Sequence, residues 1–98
     1  MELSKEAFIK ELMELVQNGA RFNVESVDSG SMYFSFGGCS VAFSDDGIDG
    51  EFVFFKPNFD MNVTFDFDII ECITKTSEKT YGIEFNANIA DVTITKIA

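Results

Sequence analysis

From Arg21 onward large apolar residues recur at every second position, and the alternation is broken by short turn-forming stretches, glycine-bearing in the first half, rather than by linkers. A period of two sends successive side chains to opposite faces, so such a chain is committed to antiparallel strands with one apolar face. The breaks then set the register. Gly37-Gly38 suits a two-residue hairpin with Phe36 opposite Cys39, Phe34 opposite Val41 and Met32 opposite Phe43, which leaves Tyr33 alone on the other side. A two-residue turn at Asp46-Gly47 sets Val41 against Phe52 and Cys39 against Phe54, and a three-residue loop Asp28-Ser29-Gly30 sets Val24 against Phe34 and Phe22 against Phe36. Three separate turn choices produce one continuous face.

Further on, Val63, Phe65, Phe67 and Ile69 alternate with Thr64, Asp66 and Asp68, and the phase shifts at Ile69-Ile70, as a bulge or a break into two strands requires. A loop through Thr76 to Lys79 sets Thr74 against Tyr81, Cys72 against Ile83 and Ile70 against Phe85; a longer loop after Phe85 sets Ile83 against Ile94 and Phe85 against Val92. Before the strands comes a helix. Ser4 is a good N-cap, Leu3 can staple onto Phe8, and Phe8, Ile9, Leu12, Met13, Leu15 and Val16 form a stripe at helical spacing that ends at Gly19. Glu6 and Lys10 can pair on the opposite face.

With 98 residues, 46% of them hydrophobic, the chain suffices for one core. The expectation is a single α+β domain over 1–98, with a helix over about 4–18 packed on a strongly bent antiparallel meander of about six or seven strands from about 21 to 97. The helix-then-meander order resembles cystatin-like folds and partly open barrels. Phe supplies 12 of the aromatic residues, so the core should be dry, with few buried polar groups to satisfy.

Charge narrows the partners. Seventeen acids against seven bases give a net charge of −10. Between Phe22 and Thr74 the acids are Glu25, Asp28, Asp45, Asp46, Asp49, Glu51, Asp60, Asp66, Asp68 and Glu71, against the single base Lys56. Such a field repels nucleic acid and anionic lipid and steers basic surfaces inward. The N-terminal residues read as neither signal peptide nor membrane span. Cys39 and Cys72 fit buried thiols in a reducing compartment, with a disulfide between them left open.

The chain has no histidine, which removes the commonest general base and zinc ligand together. Phe36 to Ser40 lacks the lysine and helix of a phosphate-binding loop. Asp66 and Asp68 on one strand face are the carboxylate pair open to catalysis, and a solvated surface is the better account of them. The stretch from Asp45 to Glu51 resembles the start of an EF-hand, but the third position is Gly47 and the twelfth is Lys56, so an irregular weak calcium site is all that stays open there. The reading is of a non-enzyme that needs no cofactor and no metal.

A hairpin turn explains Asp46-Gly47 but not its neighbours. Carboxylates two apart on a strand, Asp49 with Glu51 and Asp66 with Asp68, are spaced by about 6.5 Å, comparable with successive phosphates of a nucleic acid strand. Val53, Phe55 and Tyr33 fall on the face away from the main core, as a second small core or an apolar patch with an acidic rim. The candidate partner-binding residues are Asp45, Asp46, Asp49, Glu51, Phe55, Asp60, Asp66 and Asp68. Rows of surface acids that only keep exposed strands from pairing are the plainer alternative.

In size, acidity, lack of histidine and lack of a catalytic constellation the chain resembles the anti-CRISPR proteins as a class, small inhibitors encoded by phages and mobile elements. The resemblance implies a stoichiometric inhibitor in the cytoplasm of a bacterial host cell, binding a basic nucleic-acid-handling protein, a CRISPR effector nuclease above all, without touching nucleic acid or membrane, and acting as a monomer or homodimer. An immunity protein against a nuclease toxin and a small phage structural or assembly subunit are the alternatives.

Overall fold

The computed structural model describes residues 1–27, 35–56, 62–85 and 91–97, without the side chains of Val27 and Phe36. One helix packs on an eight-stranded antiparallel sheet. The elements are β1 (Glu2–Leu3), α1 (Lys5–Gln17), β2 (Phe22–Val27), β3 (Ser35–Phe43), β4 (Glu51–Phe55), β5 (Asn62–Asp66), β6 (Ile70–Lys75), β7 (Thr80–Phe85) and β8 (Asp91–Lys96), with sheet order β1-β6-β7-β8-β2-β3-β4-β5. No helix among the described residues is long and apolar enough to cross a membrane.

The ends of α1 follow from local chemistry. Ser4 Oγ accepts the Ala7 N–H at 3.1 Å. At the other end Ala20 N–H reaches Leu15 O at 3.0 Å and Gly19 N–H reaches Val16 O at 2.9 Å, the paired bonds of a Schellman cap. The stripe is narrower than its spacing suggested: Phe8 and Leu12 are buried, Ile9, Leu15 and Val16 pack at the margin, and Met13 is 45% exposed. Leu3 is drawn into β1, where it pairs with Ile73 of β6.

Gly37-Gly38 is not a hairpin. β3 runs through it and pairs with β2 on both sides, Val24 with Phe36 and Phe22 with Cys39, with a register shift between them. Gly38, at φ 70°, is the bulge residue, and its N–H donates to Asn23 Oδ1 at 3.3 Å. The odd step from Phe36 to Cys39 is absorbed by the bulge instead of by a turn, and Cys39 still lands in the core. Met32, Tyr33, Phe34 and the loop Asp28-Ser29-Gly30 lie outside the described residues.

Other registers slip by small steps. Phe43 pairs with Phe52 and Val41 with Phe54, two residues from expectation, so the inward face is kept. β7 and β8 also slip by two, Tyr81 meeting Ile94 and Ile83 meeting Val92. Between β6 and β7 Ile70 meets Phe85 as expected, but a shift after Ile70 pairs Ile73 with Ile83 and Lys75 with Tyr81. That one-residue slip buries Ile73 and leaves Cys72 half-buried; both cysteines are free thiols.

The strand count exceeds the six or seven expected, and the order is not a simple meander, since β8 pairs with β2 and β1 with β6. The phase break at Ile69-Ile70 is a 3-10 turn, Phe67–Ile69, that carries the chain from β5 at one end of the sheet to β6 near the other. Three residues cannot span an extended sheet, so the two ends lie close, and the core forms between them. Phe65 of β5 stacks on Phe85 of β7 with centroids 5.4 Å apart. Phe8 of α1 meets Phe52 at 5.7 Å, Tyr81 at 6.0 Å and Phe67 at 6.5 Å, edge to face with each. A second fastening is polar: Glu11 Oε1 accepts from Tyr81 Oη at 2.8 Å and pairs with Lys75 Nζ, whose ammonium sits 5.5 Å from the Tyr81 ring centroid.

Candidate partner-binding site

The turn between β3 and β4 is held by its own backbone. Ser44 N–H donates to Glu51 O at 2.9 Å, and Ser44 Oγ accepts the Glu51 N–H at 3.0 Å. Inside this clasp Gly47 N–H reaches Ser44 O, Asp49 N–H reaches Asp46 O, and Gly50 N–H reaches Gly47 O, forming the 3-10 turn Gly47–Asp49. Asp46 is right-handed at φ −79° while Gly47 is left-handed at φ 59°. The expected two-residue turn needs positive φ at its first residue, Asp46, in either favoured type, so the loop is longer, which accounts for the two-residue slip of β4. Glycine is also dictated at position 50, where a Cβ would stand 1.9 Å from Ser44 Oγ.

The N–H groups of Ser44, Gly47, Asp49, Gly50 and Glu51 are thus bonded within the turn, and the carboxylates are exposed. Asp45, Asp46, Asp49 and Glu51 are all exposed. Phe67 N–H donates to Gly50 O at 3.1 Å, which brings the second 3-10 turn alongside the first. Asp66, the last residue of β5, lies directly across from Glu51, and exposed Asp68 follows in the second turn. The six described acids of the candidate set therefore gather at one end of the molecule. Lys5 reaches the same end, but its Nζ donates to Phe67 O at 2.7 Å.

The two strand rows of carboxylates do not form. Asp49 and Asp68 belong to 3-10 turns, so neither pair runs at strand pitch along one face. The cause is hydrogen bonding: each turn closes a bond three residues back, which withdraws its acid from the ladder. Instead the sheet makes a cross-strand pair, Glu51 with Asp66, whose Cβ atoms such pairing sets about 4.5–5.5 Å apart. The acidic end is a dense patch rather than a ladder.

Comparison with known proteins finds no matching family model, no similar curated protein and no similar solved structure. The site is therefore read from its own residues.

Phe55 lines one surface concavity with Val53 and Glu51. It closes β4 opposite Ser40 and Asn62, four positions from Glu51, half-buried on the outer side with Val53. Asp60, Pro57 and Tyr33 lie outside the described residues, so the proposed patch of Val53, Phe55 and Tyr33 is described only for its first two members. Among the described residues no group of three or more carboxylates or thiols converges as a cation site. Burial pushes the Cys39 thiol above its ordinary value, outweighing the pull of Lys56, so it stays protonated. Cys72 Sγ lies 3.4 Å from Thr74 Oγ1.

Sequence reasoning missed the relation of the turn to the helix. Ile48, at the centre of the acidic turn, lines a groove with Ile9 and Met13 of α1. A lone apolar residue among four acids was the available signal.

Proposed function

We propose that the protein is a stoichiometric, non-enzymatic inhibitor that binds a basic, nucleic-acid-handling protein, a CRISPR effector nuclease first among them. Its acidic end would occupy a cleft built for phosphates, with Asp45, Asp46, Asp49, Glu51, Asp66 and Asp68 in contact, Phe55 as their apolar neighbour and Asp60 as a further candidate. The observation that carries this reading is the Glu51–Asp66 pair, two like charges held face to face at the centre of an exposed acidic end. Like charges directly opposite weaken a strand pair, and a cationic partner relieves that repulsion on binding. The competition rests on charge density, since the strand-pitch match to phosphates is absent. An immunity protein against a nuclease toxin uses the same chemistry and differs in its target.

The test is a pull-down of the tagged protein with guide-loaded CRISPR effectors of several types, with and without bound target DNA. Capture of one effector, blocked by prebound DNA and lost in the Asp49→Lys, Glu51→Lys variant, supports the reading. Capture that tolerates DNA removes the competition, and failure with every effector, alongside capture of a nuclease toxin, moves the target to the immunity class.

A further inference from the structure

We propose that the groove between α1 and the acidic turn receives an apolar side chain that the partner presents between lysines or arginines. The inference rests on the partner being basic, as above, and adds an apolar anchor at the turn itself. Ile9, Met13 and Ile48 form the groove's apolar lining, Glu6, Glu14 and Gln17 its polar edge together with Lys10, and its volume is about 490 Å³. Met13 is 45% exposed and Ile48 37%, while the other large apolar side chains strongly exposed among the described residues, Met1 and Ile97, lie near the chain ends.

Nothing in the turn's hydrogen bonding requires an apolar residue at 48. Gly47, Gly50 and Ser44 already close it. Ile48 is preceded by Gly47 and followed by Asp49 in the sequence, and the groove's rim carries Glu6 and Glu14 of the helix against the single base Lys10. An apolar centre with a charged rim is the arrangement in which a few anchors carry most of the binding energy, and methionine adapts its shape to what it meets. The charge selects the occupant. A second copy of this chain, itself at −10, would bring carboxylates against carboxylates, whereas a basic segment pairs with the rim while its apolar residue fills the groove.

Two synthetic peptides test the assignment, an amphipathic helix of leucine and lysine and a lysine peptide of equal charge without leucine. Their binding is measured by calorimetry, and the Met13 and Ile48 methyl signals are followed by NMR in the unmodified protein. The expected result is movement of both methyls by the leucine peptide, affinity at least about tenfold above that of the lysine peptide, and loss of the difference in the Met13→Ser, Ile48→Ser variant. Equal affinities with stationary methyls overturn the groove and leave the acidic end standing. Failure of both peptides to bind overturns the basic-partner reading itself. Sedimentation as a dimer that the same variant abolishes replaces the partner by a second copy and also overturns the proposal.

Discussion

Glu51 and Asp66 stand directly opposite one another across β4 and β5, two exposed carboxylates on the outer face of the sheet. Their repulsion acts on the fold in the free protein and is relieved by any cation that comes between them. Stability and partner binding therefore pull in opposite directions at this pair.

Asp66→Lys should stabilise the fold, by roughly 0.2–1 kcal/mol, because it turns a like-charge pair into an opposite one. The melting temperature should rise by about 1 to 6 °C, while affinity for a basic partner falls. Thermal melts and calorimetry on the same sample check both; a drop in melting temperature would mean that another interaction of Asp66 outweighs its repulsion from Glu51.

Salt should act on the same two quantities with opposite sign. Raising sodium chloride from about 0.05 M to about 0.5 M shortens the screening length from above 10 Å to below 5 Å. The melting temperature should rise as self-repulsion of the −10 chain is screened, and partner affinity should fall. Calcium at matched ionic strength should give the same melting temperature as sodium; a distinctly higher one would reveal a cation site at the turn.

Glu11 gives the stability a pH dependence of known direction. Burial alone would raise its carboxyl, but hydrogen bonds from Lys75 and Tyr81 and the charge of Lys75 hold it below its ordinary 4.5. A depressed carboxyl contributes stability that is complete above the unfolded value and is lost as pH falls through the folded one. Urea titrations of the native protein and of Glu11→Gln, from neutral pH to about pH 3, should therefore show a gap that closes below about pH 4.5. Comparing the two proteins cancels the relief of general repulsion when the other acids protonate.

Tyr81 works at the other end of the scale. Burial first, and then the hydrogen bond and charge of Glu11, raise its phenol above the ordinary 10.0. Its contribution is complete below the unfolded value and fades as pH climbs past it. Tyr81→Phe should cost about 1 kcal/mol at neutral pH, from the lost bond to Glu11, and should flatten the alkaline limb of a stability–pH curve.

The bulge can be tested apart from the site. A Cβ at Gly38 would meet nothing within 4 Å, so Gly38→Ala has only its φ of 70° to pay for. The cost should be about 1–2 kcal/mol by urea denaturation, with Gly38→Asn intermediate.

The caps of α1 were legible because they depend on residues within one turn of each other: Ser4 on Ala7, Gly19 and Ala20 on Val16 and Leu15. The inward face was legible too, since a register error of two residues leaves every side chain on its own side. That is why Phe52, Phe54, Ile83 and Ile94 are buried as expected although their partners differ. The six acids at one end were legible as residues but not as a geometry, because the two 3-10 turns that gather them depend on bonds across strands, such as Phe67 N–H to Gly50 O.

By itself, then, the sequence determined the helix with its ends, the period of two, the acidic middle and the absence of histidine, all properties carried by residue type and local spacing. Only the tertiary structure decided that Gly37-Gly38 is a bulge. An odd step in the apolar phase has the same signature in a turn and in a bulge, and the choice belongs to the strand alongside, here β2 with Asn23. Likewise the one-residue slip that buries Ile73 in place of Cys72, the pairing of Glu51 with Asp66 and the meeting of Ile48 with Met13 join positions far apart in the chain. They are set by which surfaces remain to be covered once the sheet brings its two ends together around Phe8.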